Sequence, residues 1–69
     1  MKKYPRKTIT DTVIRIAQDT HFQMDHIRLI TFAANTLDCH PFEVYTAIGS
    51  LDTAEQIARG THPATKKET

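Results

Sequence analysis

Sixty-nine residues with one cysteine and a net charge of +1 make room for a single domain, with no disulfide framework and no zinc ribbon to support it. The unpaired cysteine points to a reducing compartment, with the cytoplasm as the expectation, and pairing of two copies into a homodimer is the remaining common way to enlarge so small a core. No stretch approaches the roughly 18 apolar residues that span a bilayer, and the basic start is followed by no apolar run, so neither a membrane segment nor a signal peptide is expected.

The charge is unevenly placed. Lys2, Lys3, Arg6 and Lys7 put four positive charges and no negative one into residues 1–8, which read as a basic, flexible arm able to seek phosphate. Residues 9–60, the expected helical domain, carry Arg15, Arg28 and Arg59 against seven carboxylates, a balance of −4. Residues 61–69 are polar and without periodicity, and read as a disordered tail.

Glycine and proline are nearly absent from residues 8–48, so the domain reads as all-α, a compact unit of three helices and a short fourth. The first helix is expected over residues 10–19. Thr8 and Asp11 have capping-box spacing there, and Ile9, Val13, Ile16 and Ala17 share one face. The β-branched run Thr12 to Ile16 also allows a short strand, which with two following helices would make a ribbon-helix-helix dimer. The second helix is expected over 21–37, opened by Thr20 and Gln23 as another capping box, with Ile27, Ile30, Ala33, Ala34 and Leu37 as its apolar stripe. Leu29 and Phe32 widen that stripe, which predicts a largely enclosed helix or a second surface for a partner.

Asp38, Cys39 and His40 form a turn, and Pro41 suits the first position of a third helix over 41–48, because its missing N–H leaves no orphan donor there. Val44, Ile48 and either Phe42 or Tyr45 face inward, with Phe42 favoured as core, and Gly49 can end the helix in a left-handed conformation. A fourth helix is expected over 53–59, capped by Asp52 with Glu55 and ended by Gly60, with Leu51, Ala54, Ile57 and Ala58 as its apolar positions.

The stretch from Ile30 to Gly49 resembles the helix-turn-helix of small phage and bacterial repressors, such as the Cro type. Ala34 is small where two helices approach closely, Leu37 and Cys39 fill the angle between them, and Val44 with Ala47 or Ile48 buries the inner face of the second. Asp38 stands where that motif usually has glycine, and aspartate tolerates the left-handed conformation better than most residues. The resemblance implies a dimeric regulator that binds double-stranded DNA without an effector or cofactor. His40, Glu43, Tyr45 and Thr46 would then read bases from the second helix, whose positions also include Pro41 and Gly49. Lys2, Lys3, Arg6, Lys7 and Arg28 would hold phosphates. The motif's recognition helix, residues 41–48, contains no arginine or lysine, the commonest readers of guanine.

The alternative belongs to another class: an adaptor or inhibitor, of the kind found among accessory proteins of mobile elements, that docks on a protein through Phe32, Phe42, Tyr45 and the acidic body. Catalysis is not expected. Cys39 and His40 are neighbours on a turn, poorly placed for proton transfer, and there is no phosphate-cradling glycine loop and no paired carboxylate motif. His21, His26, Cys39 and His40 have no metal-ligand spacing, so no metal is expected either.

Overall fold

The computed structural model describes residues 4–63, which form four helices: α1 (Arg6–Asp19), α2 (His26–Leu37), α3 (Pro41–Ile48) and α4 (Leu51–Arg59). The all-α expectation holds. Thr12 to Ile16 lie inside α1 and no strand occurs among the described residues, which removes the ribbon-helix-helix alternative.

α1 begins four residues earlier than its pattern suggests. Pro5 occupies the N-cap with an extended backbone (φ −59°, ψ 150°) and supplies no side-chain cap. Arg6, Lys7 and Thr8 are therefore helical and not part of a flexible arm, while Lys2 and Lys3 lie outside the described residues. Thr8 and Asp11 are not a capping box. The Thr8 carbonyl accepts from the Thr12 hydroxyl, and Asp11 pairs with Lys7 one turn back at 3.0 Å. Ile9, Val13, Ile16 and Ala17 are buried as their spacing predicts.

The second capping box is also a misreading. Thr20 closes α1, its hydroxyl donating to the carbonyls of Ile16 and Ala17, while the Gln23 side chain donates to the His21 carbonyl. His21 and Phe22 both take left-handed backbone angles (φ 59° and 58°), and α2 starts only where the Asp25 carboxylate accepts from the Ile27 N–H at 3.1 Å. Asp38 ends α2 in the left-handed region at φ 57°, as expected of the residue standing in for glycine. α3 runs over the expected residues. α4 starts two residues early, with Ser50 as its cap and Asp52 inside its first turn, bonded to Gln56.

Fifteen buried apolar residues form one core shared by all four helices, and six of them are alanines, which lets the helices approach closely. Leu29, Ile57, Val13 and Val44 are its largest fully buried side chains, so no aromatic ring lies at its centre. Phe42, expected inside, is 64% exposed, and Leu51 and Phe32 are each 50% exposed. No described helix is long and apolar enough to cross a membrane.

Candidate functional site

α3 turns Val44, Ala47 and Ile48 inward, which leaves Pro41, Phe42, Glu43 and Thr46 exposed and Tyr45 half-buried between. The residues assigned to base reading meet on this helix, but much of their hydrogen-bonding capacity is already engaged. His40 is the α3 N-cap, its Nδ1 accepting from the Phe42 N–H at 3.0 Å. The Thr46 hydroxyl donates to the Phe42 carbonyl at 2.8 Å. Tyr45 packs its ring against Phe42, with centroids 6.2 Å apart and planes tilted by 32°. Glu43 sits in the first turn, where a carboxylate complements the helix dipole.

The candidate phosphate residues do not gather beside them. Arg6 donates through Nε to the Ala47 carbonyl at 2.8 Å, at the far end of α3. Lys7 pairs with Asp11 on α1. Arg28 projects from a different flank of α2, in a shallow hollow with Met24, Thr31, Phe32 and Asn35.

What does converge around α3 is apolar. Ile27 and Ile30 of α2, Pro41, Phe42 and Tyr45 of α3, Leu51 of α4 and the His40 ring line one open groove. Ile27, Phe42 and Leu51 remain at least half exposed in it, at 56%, 64% and 50%. Two of the three interface residues expected from sequence, Phe42 and Tyr45, lie in this groove, whereas Phe32 lies on the other flank of α2. Ile27 and Leu51 had been read as ordinary core positions. Both occupy first turns, Ile27 two residues past its cap and Leu51 directly after its own, where a helix begins before its neighbours can cover it. Helical periodicity contains no signal for that.

The surroundings are negative. Residues 29–58 contain no arginine or lysine, but hold Asp38, Glu43, Asp52 and Glu55, and among the described residues only Glu55 of these enters an ion pair, with Arg59. Cys39 registers the field: desolvation raises its thiol pKa above the ordinary value, and the charges of Glu43 and Asp38 raise it further. The cysteine lies among the partly buried residues packed on the core. No three histidine, cysteine or acidic side chains come together as metal ligands among the described residues. Compared with protein-family models, curated proteins and solved structures, the chain matches none.

Proposed function

We propose that this protein is a non-catalytic docking module of a reducing compartment. It takes, in the groove of α2, α3 and α4, a segment of a partner protein that is apolar on one side and basic at its flanks. The observation that carries the reading is the juxtaposition of Ile27, Phe42 and Leu51, all at least half exposed, with the α3 and α4 side of the groove drawn from residues 29–58, which hold carboxylates and no lysine or arginine. Exposed aromatic and aliphatic side chains around a shallow groove suit an amphipathic helix laid into it, whose apolar residues fill the hollow. Asp38, Glu43 and Asp52 near the groove favour lysine and arginine on the occupant.

The DNA-regulator reading draws less support from the same face. Duplex binding is driven mainly by phosphate neutralisation, and the side of α3 open to solvent offers a phenylalanine, a glutamate and a threonine whose donor is engaged. One arrangement favours it: Arg6 anchors the start of α1 beside the end of α3.

Amide chemical shifts of the full chain separate the two. The probes are a synthetic helical peptide with a leucine stripe and lysine flanks, its glutamate-flanked counterpart, and a mixed-sequence DNA duplex at low and at physiological salt. The docking reading expects the lysine peptide to shift Ile27, Phe42, Tyr45 and Leu51, the glutamate peptide to bind far more weakly, and the duplex to leave α3 unmoved. Salt-sensitive duplex binding mapped to His40, Glu43 and Thr46, with neither peptide bound, overturns it in favour of the regulator.

A further inference from the structure

We infer that the connector between α1 and α2, residues 20–25, is a sprung strap. One ring contact, Phe22 on Gly60, holds it closed, and it opens together with the end of α4 while the rest of the fold stays intact. Both ends of the strap are fixed. The Thr20 hydroxyl donates to the carbonyls of Ile16 and Ala17, and the Asp25 carboxylate accepts from the Ile27 N–H. Between them His21 and Phe22 take left-handed angles in succession, at φ 59° and 58°. A β-carbon is crowded in this conformation, which side-chain-bearing residues adopt singly and bulky ones rarely.

Such angles persist only while their surroundings hold them. Locally, the Phe22 N–H donates to the Ala17 carbonyl at 2.8 Å, and the His21 and Gln23 N–H groups donate to the carbonyls of Gln18 and Thr20. The tertiary hold is the Phe22 ring. It packs on the core and lies so near Gly60 that a β-carbon there would come within 3.0 Å of it. Gly60 is itself left-handed, at φ 78°. The chain beyond it folds back onto one acceptor, the Gln56 carbonyl, which takes the N–H groups of Thr61 and His62 and the Thr61 hydroxyl. Three left-handed residues from two distant segments thus meet at one aromatic contact, and releasing the ring frees both segments. Phe22 also lines a hollow with Met24, His26, Glu55, Arg59 and the buried Ala58, so the open strap widens that hollow.

Native-state amide exchange of the full chain tests this. The Phe22 and Thr61 amides, both hydrogen-bonded, should exchange through one shared opening, about a hundredfold faster than the Ala47 amide of α3 and with little response to dilute urea. Phe22→Leu should speed exchange several-fold at position 22 and at Thr61 alike, although it leaves the Thr61 hydrogen bonds untouched. His21→Gly, which takes the left-handed angle without a β-carbon, should slow both. Circular dichroism checks that each variant keeps its helices. Phe22 and Thr61 amides that exchange only at the rate of Ala47, by global unfolding, overturn the inference. So does a Thr61 rate that Phe22→Leu leaves unchanged, because the two segments then open independently.

Discussion

The Arg6 guanidinium donates through Nε to the Ala47 carbonyl at 2.8 Å, joining the first turn of α1 to the last turn of α3 across 41 positions of sequence. The final carbonyls of a helix lack intrahelical partners and form the negative end of its dipole, so a cation placed there closes the helix. Replacing Arg6 by alanine is expected to lower stability by about 1 kcal/mol, discounted for the exposure of the side chain. Arg6→Lys should recover only part of the loss, since an ammonium lacks the oriented N–H of the guanidinium. Urea midpoints of the three proteins measure both effects.

Gly60 ends α4 with φ 78°, and a Cβ there would come within 3.0 Å of the Phe22 ring. Gly60→Ala should therefore destabilise by about 2 kcal/mol, combining left-handed backbone strain with crowding. Adding Phe22→Leu should relieve the crowding and leave the strain, so the double variant should melt between the wild type and Gly60→Ala.

His40 serves α3 as a cap, whatever else it does. His40→Ala should lose about 1 kcal/mol, whereas His40→Asn, a strong capping residue, should stay within a few tenths of a kcal/mol of the wild type. Thermal unfolding of the two variants distinguishes a capping role from one that leaves stability unchanged.

The third helix is the element most legible from sequence, because its ends rest on local chemistry: Pro41 at its first position and Gly49 beyond its last, with Asp38 left-handed before the turn. The other helix starts were misread for the opposite reason. Thr8 with Asp11 and Thr20 with Gln23 have the spacing of capping boxes, yet one pair sits inside α1 and the other straddles its end. The stretch between α1 and α2 holds two successive left-handed residues without glycine, His21 and Phe22. Phe22 packs against the core and beside Gly60, a tertiary contact that no local pattern encodes. The groove was half legible. Phe42 and Tyr45 stood out as aromatics on a short helix, but the exposure of Phe42, Ile27 and Leu51 depends on where α2, α3 and α4 begin relative to one another.

Cys39 is expected to alkylate slowly. Its pKa is raised by desolvation first and by Glu43 and Asp38 second, so at neutral pH a smaller fraction is thiolate than in an ordinary cysteine. Because the folded form holds the proton more tightly, this group's share of stability is present below the ordinary thiol pKa and is lost as the pH rises through the raised one. Glu43→Gln with Asp38→Asn should speed alkylation modestly, and unfolding in urea should speed it more. Rates with a thiol-selective reagent across pH check the order.

The docking account is tested most directly by titrating the lysine-flanked amphipathic peptide into the wild type, Phe42→Ala, Leu51→Ala and Arg28→Ala under identical conditions. Each of the first two substitutions should weaken binding about tenfold, which corresponds to about 1.4 kcal/mol, while Arg28→Ala should match the wild type. Unchanged affinity in both Phe42→Ala and Leu51→Ala, with a loss in Arg28→Ala, would contradict it.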